Sequence, residues 1–219
     1  MLELTRESFD LLVKTDPVPH VLVDARCRSD SNDLTVPAST VVVKPAAFQT
    51  SMLPEDGCVC IVYDAEPALV DTGALACVQF NINTAAREHV PELEEISCDT
   101  VTEQGEQNYV LDVRRTDEVD NFGKLPHADS IPLHLVLQQL SADDKSPALT
   151  NMLRNDRTII VGCRTNRRAR FMTQILLDMG MKSVKFIDKG ACGCSQIPSN
   201  DMKCYPSYEV SDPVPAPNN

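Results

Sequence analysis

The sequence predicts an α/β protein built as two successive parallel-sheet units, each flanked by helices. Three observations carry this. Short β-branched apolar runs closed by polar residues recur, as in 20–26 (His-Val-Leu-Val-Asp-Ala-Arg) and 58–63 (Cys-Val-Cys-Ile-Val-Tyr), and such runs suit strands buried on both faces. Strand-like runs alternate with helix-period ones. After the stretch 89–100, which is acidic and holds Pro91, the same order of motifs starts again.

Taken in order, Leu4, Phe9, Leu11, Leu12 and Val13 space a short amphipathic helix ahead of the first strand at 20–26. The second strand is 58–63, and the acidic stretch closes the first unit. Beyond it, 109–114 reads as a strand, 133–140 as a helix and 157–162 as the next strand. Apolar residues at 171, 172, 175, 176 and 179 then give a 3.6 period that Gly180 stops. A last strand spans 183–187, with Val184 and Phe186 on one face. Val21-Leu-Val-Asp24-Ala-Arg26 matches Val110-Leu-Asp112-Val-Arg114, and Cys60-Ile-Val-Tyr-Asp64 matches Ile160-Val-Gly-Cys163. This reads as a duplication in which Asp64 stands where the second copy has Cys163.

Composition excludes several classes. Of 219 residues, 20 are Lys or Arg against 32 Asp or Glu, a net charge of −12, which argues against nucleic-acid and anionic-membrane partners. No apolar run approaches the ~18 residues of a membrane span, and the first ten residues mix in acids, so no export signal is read. The nine cysteines are odd in number and lack framework spacing, which implies free thiols in a reducing, cytoplasmic compartment. Cys58-Val-Cys60 and Cys192-Gly-Cys194 each have a one-residue gap, too short for the usual zinc knuckle, so no metal is expected.

Chemistry concentrates in one place. Between Arg154 and Arg170 six arginines face a single acid, Asp156, and Cys163 lies among them between a strand and a helix. The carboxyl edge of a parallel sheet followed by a helix N-terminus collects backbone N–H groups and suits anions. A thiol there, beside Arg164, Arg167 and Arg168, is expected to have a depressed pKa and to act as a nucleophile. Asp112 and Arg114 read as an ion pair anchoring the strand end. His20, His89, His127 and His134 read as surface or loop residues. Cys192 and Cys194 follow the last strand and so share the edge of Cys163, where one could relay a sulfur atom.

The segment Cys163-Arg164-Thr165-Asn166-Arg167-Arg168-Ala169 resembles the active-site loop of the rhodanese family, Cys-Arg-x-Gly-x-Arg-Ser/Thr. Leu111-Asp112-Val113-Arg114, the run from Gly123 to Ala128 with Ile131-Pro132, and Asp188-Lys189-Gly190 resemble further family elements in the family order. Asn166 replaces the loop glycine, and as a residue tolerant of positive φ it is expected to close the loop. The resemblance implies two rhodanese-like domains: a degenerate one at 1–92 without a catalytic cysteine and a catalytic one at 96–197. Residues 198–219 carry five of the 15 prolines and read as a disordered tail. The implied activity is sulfurtransfer through a Cys163 persulfide, with Arg164, Thr165, Asn166, Arg167 and Arg168 binding substrate, Arg164 and Arg168 steering the anionic donor, and no cofactor. The implied partners are a small-molecule sulfur donor and a thiol or cyanide acceptor. A Cys-dependent phosphatase or arsenate reductase and a catalytically silent binding module are the alternatives.

Overall fold

The computed structural model describes residues 1–26, 36–37, 40–53, 56–64, 76–104, 107–142, 145–154, 156–195 and 197. The tail expected at 198–219, and Cys27 and Cys204, lie outside the described residues.

Two five-stranded sheets form, and every strand pair in them is parallel. The first contains β1 (Leu2–Glu3), β2 (His20–Asp24), β3 (Val41–Val43), β4 (Cys58–Tyr63) and β5 (Ala76–Asn81), in the order β1-β5-β4-β2-β3. The second contains β6 (Glu94–Ile96), β7 (Tyr109–Asp112), β8 (Ala128–Ser130), β9 (Ile159–Gly162) and β10 (Val184–Ile187), ordered β6-β10-β9-β7-β8. The two orders are the same pattern. Both central strands, β4 and β9, are buried throughout, which is why their sequences are continuous apolar runs.

The helices are α1 (Arg6–Thr15), α2 (Cys98–Gln104), α3 (Thr116–Phe122), α4 (Leu133–Ser141), α5 (Pro147–Arg154) and α6 (Arg167–Asp178). Thr5 caps α1 by accepting from the Ser8 N–H, and α6 ends before Gly180, whose φ of +89° is the left-handed stop that its sequence forecasts. The acidic stretch at 89–100 is not all linker, since Glu94–Ile96 is the edge strand β6 and α2 begins at Cys98.

Register corrects the proposed equivalence of Asp64 with Cys163. Asp24 pairs with Val62 as Asp112 pairs with Gly162. The hydrogen bonds repeat as well: Ala25 N–H to Val62 O and Val113 N–H to Gly162 O. The residue that matches Cys163 is therefore Tyr63, one position earlier. Its carbonyl accepts from Ile82 N–H as the Cys163 carbonyl accepts from Ala191 N–H, and its hydroxyl donates to Glu3 at 2.9 Å. The apolar text hid this because Tyr63 continues strand β4 whereas the second copy leaves its strand at Gly162.

The halves interlock. Helix α1 lies against α6, and α4 lies against β5 and β1 of the first sheet. Leu4, Phe9 and Leu12 belong to one buried cluster with Leu137, Phe171, Met172 and Ile175. Polar contacts pin the seam: Thr5 donates to Asp178 at 2.7 Å, Arg87 pairs with Asp178 at 2.8 Å, and Ser141 donates to the Cys77 carbonyl at 2.9 Å.

Candidate active site

Cys163 leaves β9 at the carboxyl edge of the second sheet and is 1% exposed. The chain then turns through Arg164 and Thr165 into Asn166, the cap of α6. The backbone N–H groups of Thr165 and Ala169 both pull the pKa of the Cys163 thiol down. Asn166 has φ −165°, an extended conformation open to any residue, so the loop closes without the positive φ expected of the family glycine. The tight position is Gly190 instead. Its φ is +56°, and a Cβ there would overlap the carbonyl oxygens of Cys163 and Thr165. Ala191 and Cys192 complete the seat by donating N–H groups to the carbonyls of Cys163 and Arg164, at 2.7 and 3.0 Å.

The expected low thiol pKa is not found. Burial pushes the Cys163 thiol above its ordinary value, more strongly than Arg168 and the N–H groups of Ala169 and Thr165 pull it down, with Asp112 adding to the rise. Arg168 is also committed elsewhere: it grips Glu118 with two hydrogen bonds, at 2.5 and 2.7 Å. Burial works against the Glu118 carboxylate, but Arg168 and the Arg115 N–H outweigh it and hold its pKa below the usual range, so the pair stays charged. Arg168 thus ties α3 to the start of α6. Among the other loop arginines, Arg164 lies 5.9 Å from the Phe122 ring centroid and Arg167 donates to the Thr15 carbonyl at 3.2 Å.

Beneath the loop, Asp112 and Arg114 form a fully buried ion pair at 2.6 Å. Arg114 also donates to the Gly123 carbonyl at 2.7 Å. In the first half Asp24 takes Arg26 at 2.8 Å and Lys44 at 2.9 Å. Burial opposes the Asp24 charge, yet those two cations prevail and hold its pKa at about 2.

A cleft of about 320 Å³ opens over the loop. Arg164, Thr165, Arg167 and Arg168 line one wall. The first half supplies Asp56 and the turn from Asp16 to Pro19. Arg115, Glu118 and His134 close the remaining side. The sequence places His134 at the surface and gives no sign that Asp16, Asp56 and Glu118 belong to the site. Half-buried His134 has its imidazole pKa lowered by burial, against the pull of Asp56. Its place beside the apolar face of α4, not on it, gives no signal in the sequence.

The cysteines require a correction. Cys98, at the start of α2, and Cys194 form a disulfide with a Cα separation of 5.1 Å, and Cys192 is disulfide-bonded too. These three are not the free thiols expected; Cys98 and Cys194 meet because the fold brings together residues 96 apart in sequence. They therefore offer no thiol for relaying sulfur. Cys194 also sits in the apolar cluster on the other side of the sheet from that of Cys163. Among the described residues Cys58, Cys60, Cys77 and Cys163 are buried and outside any disulfide. Among the described residues no group of three or more His, Cys, Asp or Glu is placed to hold a metal ion, and no helix is long and apolar enough to cross a membrane.

A sheet-edge cysteine in a loop of backbone N–H groups defines an α/β cysteine-loop domain. Residues 97–193 match the family model of the rhodanese-like domain. The two parallel sheets are consistent with two such domains. No curated protein matches the chain. Among solved structures, a protein of unknown function from Rhodopseudomonas palustris, described as a possible tyrosine phosphatase, is 22% identical over 45% of this chain and 76% of its own, with a TM-score of 0.39. The reduced CoADR-RHD of Bacillus anthracis is 20% identical over 45% of this chain and 16% of its own, at 0.32. A rhodanese-like domain protein from Staphylococcus aureus is 17% identical over 48% and 96%, at 0.34.

Proposed function

We propose that the protein is a sulfurtransferase whose Cys163 carries sulfane sulfur as a persulfide, taken from thiosulfate or a related anionic donor and given to a thiol or cyanide. The observation that carries this reading is the seat of Cys163: a sulfur at the carboxyl edge of a parallel sheet, met by the Thr165 and Ala169 N–H groups, inside a rhodanese-like domain. The Cys163 S–H bond breaks as its sulfur attacks the outer sulfur of the donor, the S–S bond of thiosulfate breaks, sulfite departs with the bonding electrons, and the proton ends on the outer sulfur of the new persulfide. Backbone N–H groups in fixed positions stabilise the charged sulfur without reorganising. Arg164 and Thr165, both on the cleft wall, contact the donor. The first half supplies the opposite wall and no nucleophile, since Tyr63 holds the equivalent position. No metal or organic cofactor enters the scheme.

The loop spans six residues from Cys163 to Arg168, and Arg168 is held by Glu118, which argues against its gripping a phosphate in a bidentate fork. The burial of Cys163 favours one other reading, a non-catalytic binding module. A single experiment separates them. Incubation with thiosulfate is expected to add one sulfur to the intact mass, removable by thiol and absent in Cys163→Ser. A wild-type protein that gains no mass is a binding module, and an adduct that persists in Cys163→Ser places the chemistry elsewhere.

A further inference from the structure

His134 occupies a defined place relative to Cys163. Val113 lies between them on the sheet edge: its N–H donates to the Gly162 carbonyl, and its own carbonyl accepts from the Leu133 N–H. Cys163 and His134 are the residues that follow those two partners. Cys163 and His134 therefore flank Val113 at the carboxyl edge of the sheet. His134 lines the same cleft as Val113, Arg164 and Thr165. The charged groups around that cleft are Asp16 and Asp56 from the first half, Arg115 and Glu118 after β7, and Arg164, Arg167 and Arg168 on the loop. Arg168 pairs with Glu118, and Arg115 pairs with Asp117 and Asp56. Among the described residues lining the cleft, His134 is the one whose ordinary pKa lies near neutrality.

We propose that His134 is the general base for the acceptor half of the reaction and that the acceptor is therefore a small alkyl thiol, protonated when it arrives. This rests on the sulfurtransfer reading above. The acceptor S–H bond breaks and its proton passes to the imidazole. The freed thiolate attacks the outer sulfur of the Cys163 persulfide, the inner S–S bond breaks, and its electron pair stays on Cys163. The imidazolium then returns the proton to Cys163, so persulfide plus thiol becomes free Cys163 thiol plus acceptor persulfide, with no external oxidant or reductant. Burial supports both proton steps. It lowers the imidazole pKa, keeping His134 neutral and able to accept a proton, and it raises that of Cys163, making the departing thiolate a ready proton acceptor.

The test uses full-length protein loaded with persulfide by thiosulfate and compares two acceptors in single-turnover mixing. One is 2-mercaptoethanol, which is protonated at pH 7. The other is 5-thio-2-nitrobenzoate, an aryl thiol already ionised there. His134→Gln is expected to slow transfer to 2-mercaptoethanol by about 100-fold, the lower range for loss of general base catalysis, and to change transfer to the aryl thiolate less than threefold. In wild type, transfer to the alkyl thiol falls as pH drops below the ordinary imidazole value, and the variant loses that step. His134→Asn provides the same comparison should the Gln variant fold poorly. Equal slowing with both acceptors, or no slowing, overturns the base role. Absence of any persulfide on wild-type protein overturns the sulfurtransfer reading along with it, and mass analysis before mixing tells the two failures apart.

Discussion

At Cys163 two effects compete on a single atom. Two N–H groups and the Arg168 charge favour a thiolate, but a sulfur 1% exposed loses more by giving up hydration. The resting form is therefore the thiol. The sign is direct: a raised pKa leaves less thiolate at neutrality, so reaction with iodoacetamide should accelerate about tenfold per pH unit from 7 to about 8.5, without levelling at or below the ordinary thiol value. A plateau below pH 8 would show that hydrogen bonding wins. The six arginines around Cys163 made the opposite result look natural from sequence, because charge can be read from text and desolvation cannot. Likewise Asn166 looked like a glycine substitute, whereas the residue that must be glycine is Gly190, about 25 positions away, where two carbonyls leave no space for a Cβ.

Among the elements, those legible in the sequence are the ones whose burial repeats along the chain. Strands β2, β4, β7, β9 and β10 and helices α1, α4 and α6 announce themselves by period or by continuous apolar runs. Edge strands do not: β6 is Glu94-Glu95-Ile96, held by backbone pairing to β10 on one side only, and it reads as acidic linker. The loop at Cys163 was visible because its residues are consecutive. His134, Asp56 and Glu118 were not, because three separated segments meet at the cleft only once folded. The same holds for the Cys98–Cys194 disulfide, which fastens the start of α2 to the segment seating the Cys163 loop. Closing a chain of 96 residues removes unfolded-state entropy worth about 4.7 kcal/mol. The double variant Cys98→Ala, Cys194→Ala should therefore lose about 2–5 kcal/mol in denaturant unfolding, with faster amide exchange at Ala191 and Cys192. An unchanged midpoint would mean that this disulfide constrains nothing.

Across the whole molecule the repeated topology suggests two domains, and the two halves pack closely on one another. Residues of α1 share a buried cluster with those of α6, α4 of the second half covers β5 of the first, and Asp178 takes both Thr5 and Arg87 across the seam. Cutting between the halves would expose apolar faces that neither half can cover alone, and stability on the order of 5–15 kcal/mol cannot absorb many such losses at about 25 cal/mol per Å². The first half also supplies Asp16 and Asp56 to the cleft, so it shapes the site while holding Tyr63 where a nucleophile would stand. The full chain should accordingly unfold in one transition, with calorimetric and van't Hoff enthalpies equal and with far-UV and near-UV signals superimposable. A fragment of residues 96–197 should be expanded or insoluble and should take up no sulfur from thiosulfate. Two resolved transitions, or a fragment that melts at the temperature of the full chain and forms the persulfide, would instead establish independent domains and a first half dispensable to the chemistry.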